Sequence, residues 1–320
     1  MFHRIPTILT SQELIDKAFL RASRITEPQQ RRAEDRIRKE VIDRIATIES
    51  IFAGHFLKIE KKFPSADRLH PFHRDLFDLM FDLDRYKISI SHVSWAASKV
   101  KEVSTAHILA VKKAQSSKKM LDLMRSYYGR VSSIVRGVDA DLGYLRNCRD
   151  SIKRIPDIDP DALTFILAGM PNVGKSSLLN KIAGQISSVA PYPFTTKNIT
   201  IGYVEINYRR IQIVDTPGIL DRSMEDRNEM ERKAILALRD IPGIILFLLD
   251  YSETSGYTLS EQERLYQEIV SLFNKPVIRI QAKFDLYGIC REPVCVSSET
   301  GYGIDQLLEE FKGLIQNAEQ

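Results

Sequence analysis

Gly169-Met170-Pro171-Asn172-Val173-Gly174-Lys175-Ser176 is the stretch from which the rest of the chain can be read. Before it, Leu163-Thr164-Phe165-Ile166-Leu167-Ala168 is a short apolar run bounded by Asp161 and Gly169, the pattern of a buried strand. After it, Ser176-Ser177-Leu178-Leu179-Asn180-Lys181-Ile182-Ala183 reads as a helix stopped by Gly184. The eight residues fit G-x-x-x-x-G-K-[ST]. A strand feeding a glycine loop and then a helix aims free backbone N–H groups and the positive end of the helix dipole at one spot, which suits phosphate. Lys175 is expected to reach the β- and γ-phosphates, and the Ser176 hydroxyl to ligate Mg²⁺. An ordinary strand–turn–helix matching by chance is the bland alternative.

Four further signals follow at strand ends, in the order that a guanine-nucleotide switch domain requires. Ile211-Gln212-Ile213-Val214-Asp215-Thr216-Pro217-Gly218 is a strand ending in D-T-P-G, whose acid can hold Mg²⁺ through a water and whose Gly218 N–H can meet the γ-phosphate. Pro191-Tyr192-Pro193-Phe194-Thr195-Thr196-Lys197 lies between the loop helix and a hairpin. A threonine hydroxyl there, assigned to Thr196, reaches Mg²⁺ only when the γ-phosphate is present, which would make the segment an order–disorder switch. Taken alone, it could equally be a plain loop. Ile278-Arg279-Ile280-Gln281-Ala282-Lys283-Phe284-Asp285 is a strand ending in A-K-x-D. Asp285 can accept both the N1–H and the N2 amine of guanine, whereas adenine offers no such pair, and Lys283 can lay its stem over the base. The usual pattern is N-K-x-D, so Ala282 removes a bracing amide and leaves an ATP-accepting protein as a rival reading. Cys295-Val296-Ser297-Ser298-Glu299-Thr300-Gly301 then suits a loop in which the Ser298 N–H meets guanine O6, with Ser297 beside it.

Around this core the chain has two grammars. With 320 residues, two domains are expected. The first half is poor in glycine and reads as helices. Thr10-x-x-Glu13 is a capping box opening a helix to about Ser23. Pro28 stands as a first-turn proline. Ile37, Val41, Ile45, Ile48, Phe52, Phe56, Ile59 and Phe63 then form one stripe of a long helix ended by Pro64. Further helices are expected over 72–83, 86–114, 117–136 and 139–154, making an antiparallel bundle. Ile155-Pro156-Asp157-Ile158-Asp159-Pro160 reads as the linker. Beyond it, strands near 163–168, 199–206, 210–214, 244–250, 277–281 and 293–297 alternate with helices near 176–184, 228–239, 259–273 and 303–316. This predicts a doubly wound, mostly parallel sheet carrying one antiparallel hairpin at Asn207-Tyr208. The expected domains are 1–158, a helical bundle, and 159–320, a P-loop nucleotide domain.

Charge differs between the halves. Residues 1–160 hold 30 Lys+Arg against 21 Asp+Glu, a net of +9, and residues 161–320 hold 16 against 21, a net of −5. The basic half is a candidate for meeting a polyanion, with solvated helix faces as the plain alternative. Lys112-Lys113 and Lys118-Lys119, either side of Ser116-Ser117, form either a phosphate-contacting patch or an ordinary helix end. Cys148, Cys290 and Cys295 have no metal-ligand spacing and suit a reducing compartment. No apolar run of about 18 residues exists, and the N-terminus lacks the apolar core of a signal peptide, so membrane insertion is not expected.

With these residues in place, the chain resembles the nucleolar GTP-binding protein 1 family, a branch of the Obg-like GTPases involved in large ribosomal subunit assembly. The resemblance rests on Gly169–Ser176, on Tyr192-Pro193-Phe194-Thr195-Thr196-Lys197 and on Asp250-Tyr251-Ser252-Glu253-Thr254-Ser255-Gly256-Tyr257, together with the helical first half. It implies a GTPase that cycles between GTP and GDP with Mg²⁺ held by Ser176, Thr196 and Asp215, and with Lys175, Thr196 and Gly218 acting on the γ-phosphate. It also implies that pre-large ribosomal subunits, through rRNA or ribosomal proteins, meet the basic half. An archaeal-type, cytoplasmic, monomeric form without the long C-terminal extension is expected. Many small GTPases carry a water-orienting glutamine after D-x-x-G. Ile219 stands there and its side chain can make no hydrogen bond, so slow intrinsic hydrolysis is expected, helped by a partner or by K⁺ at Asn172. A scaffold that binds nucleotide and hardly hydrolyses it is the other reading.

Overall fold

The computed structural model describes residues 2, 4–27, 32–195 and 198–317, with side chains for all of these but 185–188 and 316–317. The chain forms two compact units. One comprises Phe2–Arg68 and Phe81–Ser151; the other comprises Leu69–Met80 and the chain from Ile152 onward.

The first unit is helical. Helix α1 (Ser11–Ser23) opens on the expected capping box, with the Glu13 N–H donating to the Thr10 hydroxyl at 3.1 Å and the Thr10 N–H donating to the Glu13 carboxylate at 2.8 Å. Helix α2 (Ala33–Lys62) buries Val41, Ile45, Ile48, Phe52, Phe56 and Ile59, the stripe read from their spacing. Pro28 lies outside the described residues. The next helix in the chain, α3 (Pro71–Met80), belongs to the other unit. Helix α4 (Leu83–Lys113) begins at Asp82, whose carboxylate caps the N–H groups of Asp84 and Arg85. Helices α5 (Ser117–Gly137) and α6 (Asp139–Ile152) complete the bundle. The buried Tyr127 hydroxyl on α5 lies 2.8 Å from Ser104 on α4 and 3.3 Å from the Ile45 carbonyl on α2, so a satisfied polar group ties three helices together.

The second unit is a seven-stranded sheet in the order β2-β3-β4-β1-β5-β6-β7. In chain order its elements are β1 (Thr164–Ala168), α7 (Lys175–Ile182), β2 (Gln185–Pro191), β3 (Asn198–Ile206), β4 (Arg209–Asp215), α8 (Glu229–Leu236), β5 (Gly243–Asp250), α9 (Leu259–Leu272), β6 (Val277–Ala282), α10 (Phe284–Tyr287), β7 (Val294–Cys295) and α11 (Ile304–Asn317). Strand β3 runs antiparallel to both neighbours, while β4, β1, β5, β6 and β7 run parallel. The β3–β4 turn is made by Asn207 and Tyr208 at φ +51° and +61°, the left-handed pair of a two-residue hairpin. Strand β1 is buried along its whole length, and Phe165 stacks on Phe311 of α11 with ring centroids 4.1 Å apart. Because β4 and β5 flank β1 on opposite sides, a crevice opens beyond its carboxyl end.

Two features depart from the sequence expectation. A seventh strand, β2, occupies a stretch to which the sequence assigns neither strand nor helix. It pairs on one side only, carries a register shift between Ile186 and Ser188, and ends at Pro191, so the period-two signal is lost. Helix α3, expected among the first-half helices, instead packs against α8 and the 3₁₀ turn Ala237–Asp240, burying Phe72, His73, Leu76 and Phe77. Ten residues are too few for a stable helix in isolation, so this packing holds it. Among the described residues no helix is long and apolar enough to cross a membrane, and all three cysteines are free. Replacing Phe77 by Ala is expected to destabilise the second unit by about 3–5 kcal/mol. Urea unfolding followed by loss of nucleotide binding measures this.

Candidate nucleotide-binding site

The loop Gly169–Gly174 works through backbone shape. Gly169 has φ +132°, and a Cβ there would stand 2.6 Å from the Leu248 carbonyl oxygen of β5, so only glycine fits. Its N–H donates to the Leu220 carbonyl at 3.0 Å. Asn172 (φ +61°) and Gly174 (φ +106°) continue the turn, and Gly174 is the N-cap of α7. The N–H groups of the first helical turn, which have no partner within the helix, therefore face the loop. Met170 and Pro171 form its rim, while Val173 is buried beneath it. Lys175 is buried, and its ammonium donates to the carbonyls of Gly169 (2.7 Å) and Met170 (2.8 Å). Burial lowers its pKa, and the carboxylates of Asp221 and Asp215 act in the opposite sense.

The residues expected to hold a metal lie at the tip of β4. The Ser176 hydroxyl donates to Asp215 Oδ2, and Asp215 is wholly buried with Oδ1 lacking a partner. Burial raises its pKa, while the Ser176 hydrogen bond and Lys175 lower it. An orphaned carboxylate oxygen beside a hydroxyl is a fitting donor set for Mg²⁺, which prefers few protein oxygens and completes its shell with phosphate and water. Among the described residues no three His, Cys, Asp or Glu side chains cluster as a protein-only metal site. The Thr216 hydroxyl donates to the Leu167 carbonyl at 2.7 Å, fixing the β4 tip to β1. Ser177 is exposed on α7.

Past Pro217, the Gly218 N–H donates to Asp221 Oδ2 at 2.6 Å. Arg227, with a fully buried side chain, donates from Nη1 to the Gly218 carbonyl at 3.1 Å and lies 3.7 Å from Asp221. Neither residue was singled out in the sequence, because an acid three residues and an arginine nine residues past a glycine form no pattern until the loop closes. Ile219 is fully buried in an apolar cleft with Leu265, Ile269 and Phe273. The Tyr192 hydroxyl, also buried, donates to the Ala234 carbonyl of α8 at 2.7 Å. Phe194 has φ +60° and is partly exposed, and the Thr195 hydroxyl donates to the Tyr192 carbonyl at 3.0 Å. Thr196 lies outside the described residues. Met170, Pro171, Gly218 and Asp221 line a cleft of about 930 Å³ together with Tyr257 and Arg264.

The base side is built at the tips of β5 and β6, where Asp250 and Ala282 are register partners. Ala282 is buried. Lys283 takes φ +52° and donates to Asp250 Oδ2 at 2.8 Å and to the Thr254 hydroxyl at 2.9 Å. Two residues on, the exposed Asp285 carboxylate has no intramolecular partner among the described residues and so keeps its acceptors for a ligand. Ser297 is buried, its hydroxyl accepting from the Thr300 N–H at 3.1 Å, and Ser298 is half-buried beside it. Phe284 stacks on Tyr302 with centroids 4.2 Å apart, holding the two base-side loops together.

A glycine loop at the end of a central strand, a hydroxyl–carboxylate pair beside it and a free acid on a neighbouring strand tip together define a P-loop GTPase domain. Residues 164–283 match the family described as 50S ribosome-binding GTPase, and residues 2–159 match the NOG1 N-terminal helical domain. Nucleolar GTP-binding protein 1 of Saccharomyces cerevisiae is 37% identical over 285 residues, covering 88% of this chain and 44% of that protein. An uncharacterized protein of Methanocaldococcus jannaschii is 34% identical over 288 residues, covering 89% of this chain and 81% of its own length. A solved structure of a nucleolar GTP-binding protein 1 from Plasmodium falciparum, 34% identical with a TM-score of 0.42, covers 52% of this chain and 97% of that one. The chain belongs to the nucleolar GTP-binding protein 1 family. It spans less than half the length of the S. cerevisiae relative.

Chelation of Mg²⁺ is expected to weaken GTP binding by the parent protein strongly and to leave a Ser176→Ala variant, already weakened, little changed. Fluorescent-nucleotide titration with and without EDTA makes the comparison.

Proposed function

We propose that this protein hydrolyses GTP to GDP and phosphate and uses the cycle as a switch in large ribosomal subunit assembly. The observation that carries the reading is the packing of α3 on α8. Helix α8 follows directly on the segment that begins at Gly218, and α3 is continuous in the chain with the helical unit on both sides. A change in 216–228 on γ-phosphate binding therefore has a packed element through which to reach the basic half. The family description of residues 164–283 as a 50S ribosome-binding GTPase points to the large subunit as the partner.

In this reading the free N–H groups at the start of α7 take phosphate oxygens, and the Lys175 ammonium leaves the Gly169 and Met170 carbonyls to join them. Ser176 and Asp215, with Thr196 in the GTP state, would hold Mg²⁺, which would supply positive charge against the phosphates. As the γ-phosphate arrives, the Gly218 N–H exchanges the Asp221 carboxylate for a phosphate oxygen. The buried aliphatic side chain of Ile219 supplies no hydrogen bond to an attacking water, so turnover without a partner is slow. The exposed Asn172 carboxamide, on a left-handed backbone, is available to ligate K⁺ beside the phosphates. The net +9 of residues 1–160 is suited to rRNA phosphates. Three free thiols suit a cytoplasmic setting, and the free protein is taken as a monomer.

Co-sedimentation with large ribosomal subunits tests the switch: more protein should pellet with a non-hydrolysable GTP analogue than with GDP, and the pelleted fraction should fall steeply with salt. Equal pelleting in the two states would contradict it. Hydrolysis measured in matched K⁺ and Na⁺ buffers should be faster in K⁺, with the difference lost in Asn172→Ala.

A further inference from the structure

The segment Asp250–Tyr257 meets the site described above through Lys283 and Tyr257, and it surrounds a carboxylate that is completely buried. Asp250 Oδ1 accepts from the Ser252 N–H at 3.0 Å and from the Ser252 hydroxyl. Oδ2 accepts from the Ser255 N–H at 2.8 Å and from the Thr254 hydroxyl at 3.2 Å. The Asp250 backbone is clamped as well: its N–H donates to Gln262 Oε1 at 2.8 Å, and its carbonyl accepts from Gln262 Nε2 at 2.9 Å. Such a loop could satisfy its own acid. Even so, Oδ2 also takes the Lys283 ammonium, which arrives from the neighbouring strand tip.

Lys283 is placed where the base-side loop most needs holding. Its backbone is left-handed, a conformation unfavourable for an L-residue. The residue before it, Ala282, is buried and offers a methyl group, hence no side-chain hydrogen bond across the loop. Asp285 follows two residues later with its carboxylate exposed. Two of the three ammonium donors of Lys283 are spent on Asp250 and Thr254, so the lysine stem has one direction and the loop behind it one position. The register pairing of Asp250 with Ala282 sets the ion pair one residue from the unbraced position.

The geometry points to Asp250 as a positioning residue for base recognition: through Lys283 it holds the 282–285 loop so that Asp285 meets guanine, supplying from β5 the brace that Ala282 cannot. This rests on the reading of Asp285 as the guanine-binding acid. The ligand is a guanine nucleotide, and Asp250 itself does not touch it. Asp250→Asn keeps the shape and, through its single amide oxygen, the two Ser252 contacts, but it removes the charge and sets its NH2 against the Ser255 N–H. Lys283, whose side chain is 22% exposed, is then free to turn to solvent, which avoids stranding a buried cation.

The test uses the full chain and competition of a fluorescent guanosine diphosphate by GTP, ATP and inorganic triphosphate. Asp250→Asn is expected to lose GTP affinity on the order of tenfold, the scale of one charge-assisted hydrogen bond, with triphosphate binding unchanged, so that the preference of GTP over ATP shrinks in proportion. Thr254→Val, which leaves the ion pair in place, should show a smaller loss in the same direction. Adding Ala282→Asn to Asp250→Asn should recover most of the GTP preference, which a residue that only folded its own loop would not permit. Unchanged GTP affinity in Asp250→Asn, beside a clear loss in Asp285→Asn, would overturn the inference and leave the guanine site standing. Equal loss of GTP and triphosphate, with no recovery by Ala282→Asn, would reduce Asp250 to a folding role and overturn it too. Unchanged GTP affinity in Asp285→Asn would remove the guanine site itself.

Discussion

The close approach of Gly169 to the Leu248 carbonyl of β5 is the constraint on which the second unit depends. The chain must leave β1 in contact with the backbone of its neighbour and enter α7 within six residues. Only a residue without a Cβ passes there, and only left-handed positions at Asn172 and Gly174 complete the turn. The result leaves N–H donors at the end of a wholly buried strand, with α7 behind it. Because β4 and β5 lie on either side of β1, their tips bring Asp215 and Asp250 to the same edge of the sheet. The site thus follows from one turn and the order of three strands.

At that edge, acids and donors are held in pairs. Asp215 holds the Ser176 hydroxyl, Asp221 holds the Gly218 N–H, and Asp250 holds the Lys283 ammonium. The first two pairs occupy groups that a magnesium–triphosphate would engage, so binding exchanges one set of charge-assisted contacts for another and avoids creating buried charge from nothing. The third pair has no such exchange to make. Burial raises the pKa of Asp250, but the hydrogen bonds from Lys283, Ser252 and Ser255 outweigh it and hold the carboxyl below its ordinary value, as suits a permanent anion.

What could be read from the chain was whatever is contiguous in it. The phosphate loop, the D-T-P-G strand end, the Thr10 capping box and the stripe of α2 each lie within a few turns or one strand, and each appears in the structure where its spacing put it. Strand β2 was not legible because an edge strand with a register shift and a terminal proline loses its alternation. The placement of α3 was not legible for a different reason: Phe72, Leu76 and Phe77 form an apolar face that fits any partner, and the sequence does not say which one covers it. The parts played by Asp221, Arg227 and Asp250 depend on contacts between loops, which periodicity does not record. Thr196, the expected γ-phosphate sensor, lies outside the described residues.

In the function proposed, the glycine turn holds the phosphates and one acid, Asp285, selects the base. Changing that acid to an amide exchanges one acceptor for a donor. Xanthine, which carries an oxygen where guanine carries an amine, should then become the matching base. Titration of Asp285→Asn with xanthosine and guanosine diphosphates is the most direct measurement. The account predicts that the variant gains xanthosine diphosphate binding as it loses guanosine diphosphate. Retention of guanosine diphosphate at the parent's affinity, with no gain for xanthosine, would contradict it.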